Sequence, residues 1–202
     1  LSVVGWTNNI PDGANRLFSN GGGNGVFFAF EGSAATTAFL ATTNTDSGAS
    51  GLPFPKITPS NYTAVAFSVD IAPTFQPANV TAYFAVRMSS GSWFVNSTAI
   101  PVNNGTATGT FTTYAQQFSP LAANWDNLSL SATGATIGSV ASSDLTGDII
   151  GAGLVFVHTG SGTFNVDNFL VTTDSVAAVP PTITAEDKAM HYHTPNHFQD
   201  QH

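Results

Sequence analysis

Few residues in this chain could do chemistry, and they stand out against an almost uncharged background. Asp167 lies between Val166 and Asn168 in a run otherwise made of apolar and amide residues, FNVDNFLV. Packing gives no reason for a carboxylate there. Glu31 ends the apolar run VFFAFE and is the only glutamate ahead of Glu186. Carboxylates of this kind suit a hard divalent cation, which gathers roughly six to eight oxygens. The plainer alternative is that Asp167 accepts from turn amides and that Glu31 is a solvated strand end. Asp46 in TNTDSG and the Asp144/Asp148 pair in SSDLTGD are weaker ligands and commoner turn formers. Arg87 is one of only four cations, with Arg16, Lys56 and Lys188. Set mid-strand among neutral residues, it needs a partner, either a ligand hydroxyl or carboxylate, or Asp70 across the sheet.

Catalysis finds little to work with. Carboxylates paired at short strand spacing, as glycoside hydrolysis on a sandwich fold would need, are missing. The chain has no cysteine, and His158, its one histidine ahead of the C-terminal segment, sits at a strand end where capping a turn is the ordinary role. The glycine-rich SNGGGNG stretch lacks both the lysine and the following helix of a phosphate loop. His191, His193 and His197 have the spacing H-x-H-x3-H, which suits zinc or copper but is also common in incidental or affinity tails. The expectation is a protein that is not an enzyme.

Composition narrows the partners. Of 202 residues only 8% are charged, and the net charge is −8. Without a basic patch there are no counterions to release from a phosphate backbone, which argues against nucleic acid and against anionic membranes. No run approaches the ~20 apolar residues of a membrane span, so membrane insertion is not expected. Hydrophobic content of 42% is enough for a core. An acidic, lysine-poor, cysteine-free surface rich in Thr, Ser and Asn fits a secreted or cell-surface bacterial protein. Leu1 follows no basic and apolar leader, as in a processed N-terminus.

The elements that must position these residues read as strands throughout. Val65, Phe67, Val69 and Ile71 alternate with Ala64, Ala66, Ser68 and Asp70; Val80, Ala82, Phe84, Val86 and Met88 alternate with Thr81, Tyr83, Ala85 and Arg87. A Ser-Ser-Gly turn at 89–91 predicts a hairpin into SWFVN. Earlier, Leu1–Trp6, Val26–Glu31 and Thr36–Thr43 are predicted strands, Arg16–Gly25 a loop, and 44–61 a long irregular stretch that is functional or tied down. Later, Thr108–Phe118 is a predicted strand, Trp125–Asn127 falls in a loop, and Leu128–Ser131 is a short strand. Ile149–His158 and Thr163–Thr172 flank Thr-Gly-Ser-Gly and predict a closing hairpin, with Phe164, Val166, Asn168 and Leu170 on one face and Asn165, Asp167, Phe169 and Val171 on the other. Nine to eleven strands without helical periodicity or repeats predict an all-β fold, an antiparallel β-sandwich or jelly roll. The domain spans 1–174. Residues 175–202, which open into Pro180-Pro181 and carry most of the histidines, form a tail or linker, native or vector-derived.

The sandwich pattern, the SWFV strand after its hairpin and the V-D-N-F element of the last strand resemble bacterial carbohydrate-binding modules of the jelly-roll, galactose-binding-like type, over roughly residues 1–173. The resemblance implies a structural Ca²⁺, with Asp167 in the late-strand ligand position and Glu31 as its early partner. It also implies a polysaccharide partner. Sugar rings stack on aromatic faces while their hydroxyls demand donors and acceptors. Tyr83 and Arg87 share a polar strand face, Tyr114 and Gln116 share a face of another strand, and Trp93 and Trp125 are either platforms or core. Read this way, the chain is a secreted, calcium-stabilised, non-catalytic module attaching a larger enzyme or cell surface to a polysaccharide. The alternative is a subunit of a surface layer or extracellular filament that binds copies of itself, since it lacks the lysines that guard strand edges and its AVPPTIT segment would lie along a neighbour's edge.

Overall fold

Strands form wherever β-branched and aromatic residues alternate. In the computed structural model the described residues are 56–75, 80–102, 109–131, 134–160 and 162–175, together with the backbone of four earlier strands. In chain order the strands are β1 (Thr7–Asn9), β2 (Asn15–Ser19), β3 (Val26–Phe30), β4 (Thr36–Thr43), β5 (Tyr62–Phe75), β6 (Val80–Met88), β7 (Trp93–Asn96), β8 (Thr112–Gln117), β9 (Trp125–Ser131), β10 (Gly134–Val140), β11 (Ile149–His158) and β12 (Gly162–Ser175). They build two antiparallel sheets, one of seven strands in the order β1-β4-β11-β6-β7-β9-β10 and one of five in the order β2-β3-β12-β5-β8. The molecule is the expected all-β sandwich. Residues 176–202, with the histidines at 191, 193 and 197, lie outside the described residues, as does Asp46.

The core lies between the sheets. Phe67, Val69 and Ile71 of β5 face Phe84, Val86 and Met88 of β6, as the alternation predicts. Each such side chain removed from water stabilises the fold by about 1.5–3 kcal/mol. Trp125 is buried among them, its indole N–H donating to the Ser119 carbonyl at 2.7 Å. It opens β9 and is not in a loop. The hairpin β6–β7 forms as predicted, with Arg87 opposite Trp93 and Gly91 at φ 91° in the turn. Arg16–Ser19, predicted to be loop, instead belongs to β2, paired along β3.

The largest correction concerns the closing pair. β11 and β12 do not pair with each other: β11 sits between β4 and β6 in one sheet, and β12 between β3 and β5 in the other. The connection after His158 crosses the core, and the rings of Phe156 and Phe164 meet across it with centroids 4.9 Å apart. β11 is buried along nearly its whole length, the mark of a central strand covered on both sides. His158 is fully buried with its Nδ1 3.1 Å from the Gly160 carbonyl, the predicted cap. Desolvation holds its pKa below the usual histidine range, partly opposed by that hydrogen bond.

β12 also departs from simple alternation. Its register moves from Asp167 opposite Asp70 to Leu170 opposite Ser68, one extra residue on β12, with Asn168 at φ 47°. This β-bulge reverses the phase of the strand. Phe169 and Val171 therefore join Phe164 and Val166 against the core, and Leu170 is 53% exposed. Asparagine is among the few non-glycine residues that enter the left-handed region readily.

Candidate functional site: the outer face of the seven-stranded sheet

The residues of β6 that point away from the core meet those of β7, β9, β10 and β11 on one outer face. Ala85, Val95, Leu128, Ala135 and Val155 form a second buried apolar layer there, and Tyr83, Trp93, Ile137 and Val157 pack over it. Register brings Arg87 beside Trp93, Trp93 beside Leu128, and Val95 beside Asp126. Tyr83 lies four residues before Arg87, about 13 Å along the strand. Half-buried aromatics thus stand on an apolar floor with a guanidinium and a carboxylate near them. Arg87 Nε donates to the Gly91 carbonyl at 3.3 Å, which orients the side chain along the hairpin. Such a face can stack a flat, hydroxylated ligand and hydrogen-bond its edge. Asp126 escaped sequence reading because Trp125–Asn127 looked like loop; the alternation of Trp125 in, Asp126 out and Leu128 out was the available signal.

The remaining candidates do not join this face. Trp125 is core and offers no platform. Tyr114 is 9% exposed and points inward from β8, donating its hydroxyl to the Pro101 carbonyl at 3.3 Å. Gln116, opposite Phe67, shares that inner side. Asp70 is not the partner of Arg87, because the two lie on opposite outer faces of the sandwich. It accepts instead from Thr113 Oγ1 at 2.5 Å and from Asn168 Nδ2 at 2.8 Å.

Asp167 accepts the Asn168 N–H at 2.8 Å, the turn-amide role of the plainer reading. Glu31 lies outside the described residues. Among the described residues no group of three or more His, Cys, Asp or Glu side chains is placed to hold a metal. Asp144 accepts the Ala122 N–H at 2.8 Å, a turn role. Asp148 accepts from Thr58 Oγ1 at 2.6 Å and pairs with Lys56 at 2.9 Å. Those hydrogen bonds, Thr58 foremost, lower its pKa below the ordinary carboxylate value. Together with paired backbone bonds between Ile57 and Ile149, they tie down the end of the long irregular stretch.

No protein-family model matches the chain, and no curated protein matches it by sequence. Among solved structures it is similar to a family 11 carbohydrate-binding module of a cellulosomal cellulase of Clostridium thermocellum. The sequence identity is 16% and the TM-score 0.50, over 88% of this chain and 93% of that one. A family 11 module from the same organism, in complex with a β-1,3-1,4-mixed-linked tetrasaccharide, matches at 17% identity and a TM-score of 0.50, over 87% and 93%. An agarase matches at 9% identity and a TM-score of 0.50, over 89% of this chain but 24% of its own. At such identities the likeness establishes the fold, a β-sandwich of the carbohydrate-binding-module type.

Proposed function

We propose that the chain is a non-catalytic carbohydrate-binding module, part of a secreted or surface-exposed protein, that attaches a larger enzyme or a cell surface to a polysaccharide. The observation that carries this reading is the convergence of Tyr83, Arg87 and Trp93 on one outer face over an apolar floor. The spacing of Tyr83 and Trp93 exceeds one sugar ring, so an oligosaccharide reaches both where a monosaccharide does not. Native affinity electrophoresis through β-1,3-1,4-mixed-linked glucan and through agarose tests it. Retardation that Trp93→Ala abolishes is expected; unchanged mobility in every glycan gel sinks the reading.

Calcium enters this proposal only through the V-D-N-F resemblance, with Asp167 and Glu31 as its carboxylate ligands. Thermal melts with EDTA and with added Ca²⁺ test it, and a melt indifferent to both removes the ion. The self-assembling subunit stays as a second reading on one observation: β8, an edge strand of the five-stranded sheet, reads TTYAQQ and carries no charge to guard it. Light scattering that stays monomeric across concentration excludes it.

A further inference from the structure

At the end of the sandwich, segment 141–148 between β10 and β11 lines two neighbouring pockets, the larger of them a trough. The larger, about 500 Å³, is lined by Tyr62, Phe118, Pro120 and Asp148 among others. The smaller, about 220 Å³, lies against Ser90, Phe94, Asn127 and Ser142. Leu145 and Thr146 line both, so the pockets adjoin.

This segment is held from several sides. The Leu145 N–H donates to the Pro120 carbonyl at 2.8 Å, and Leu145 itself is buried. The Ser89 N–H donates to the Asp148 carbonyl at 2.8 Å, and the Asp148 N–H donates to Ser89 Oγ at 3.1 Å. Gly147, at φ 87°, allows this approach, because a Cβ there would come 2.5 Å from Ser89 Oγ. A preformed cavity of this size suits a small ligand and avoids the cost of ordering a loop on binding.

The lining specifies a class. Tyr62, Phe118 and Pro120 offer flat apolar surface and the Asp148 carboxylate an acceptor, while Lys56, outside the lining, pairs with that carboxylate at 2.9 Å. A ring hydroxyl can donate to a remaining lone pair of this carboxylate, alongside the bonds from Thr58 and Lys56. An anion would meet Asp148 and a net charge of −8, and a purely apolar ligand would leave the carboxylate desolvated. We infer that the trough is a second glycan site, taking the end of a sugar chain with a ring beside Tyr62 and Asp148. The inference rests on the glycan-binding reading of the outer face but uses none of that face's residues.

The test is an amide-shift NMR titration of the full chain with β-1,3-1,4-mixed-linked tetrasaccharide. Four proteins are compared: wild type, the Tyr83→Ala/Trp93→Ala pair, Thr146→Trp, which fills the trough, and Asp148→Asn. Expected are two groups of moving amides, one on β6 and β7 and one at 58–65 and 141–148. The double variant silences the first group and leaves the second; Thr146→Trp does the reverse. Asp148→Asn weakens the second by roughly tenfold or more, the loss of a hydrogen bond to a charged group. Movement at the outer face alone overturns the trough while sparing the outer face. Movement at the trough alone keeps it and sinks the face, and no movement at either overturns both.

Discussion

The two outer faces of the sandwich are made by the same device, alternate residues turned away from one core, yet they end in opposite states. On the five-stranded sheet the outward polar residues beside the β12 bulge satisfy one another. Thr113 and Asn168 both donate to Asp70, and Asp167 caps the Asn168 N–H, so these polar groups around the bulge are paired with one another. On the seven-stranded sheet the outward residues bury a second apolar layer and leave Tyr83 and Trp93 half covering it. A hydrogen-bonded polar surface with no aromatic side chain beside it has little left to offer a ligand. Half-buried aromatics over an apolar floor still have surface to cover. The contrast is the physical basis for proposing the seven-stranded face as the binding face.

The two tryptophans give the largest test of that contrast. Trp125→Ala should cost about 3–5 kcal/mol in urea unfolding, because it empties the core, whereas Trp93→Ala should cost far less. Equal losses would mean that Trp93 is also core and the face is not a platform. Tyr83→Ala with Trp93→Ala should lower glycan affinity by at least roughly tenfold in calorimetry, while the same titration of Thr113→Ala leaves it unchanged.

The polar face is sharpened by Asn168. Asn168→Ala removes the bond to Asp70 and places a less tolerant residue in the left-handed region, for an expected loss of about 1–3 kcal/mol without effect on glycan binding. Asn168→Gly should recover the backbone part of that loss. An unchanged unfolding midpoint in both would show that the bulge needs neither.

The smallest effects are those of pH. Burial lowers the folded-state pKa of His158, so the unfolded chain binds the proton more readily. Stability should be full above the ordinary histidine pKa and fall as pH drops from there toward the folded value, with a slope of at most about 1.4 kcal/mol per pH unit. His158→Gln should flatten that region of a urea-midpoint profile. Asp148 acts in a lower window. Its depressed pKa contributes stability above the ordinary carboxylate value that is lost as pH falls through the folded one, and Thr58→Val should shrink that step.

Much of the fold could be read in advance. β5 and β6 alternate cleanly, and each inward residue named from the sequence is buried. The β6–β7 hairpin carries its own turn signal. The site was half legible: Tyr83, Arg87 and Trp93 were named, but as separate strand residues, and Asp126 was hidden in a supposed loop. β10, GATIGSV, went unrecognised because small residues blur its period. The reversal of phase in β12 could not be seen either, since an asparagine in a strand does not announce a positive φ.

What the sequence by itself determined is which side of each strand meets the core, because burial of apolar area is local to the residue and leaves a period of two in the chain. What only the tertiary structure decided is which strands lie together. Backbone hydrogen bonds are blind to side-chain identity, so Ile149–His158 and Thr163–Thr172 look alike whether they pair as a hairpin or face each other across a core. The contacts that decide between those outcomes join residues far apart in sequence, and the meeting of Arg87, Trp93 and Asp126 on one face is a result of the same long-range pairing.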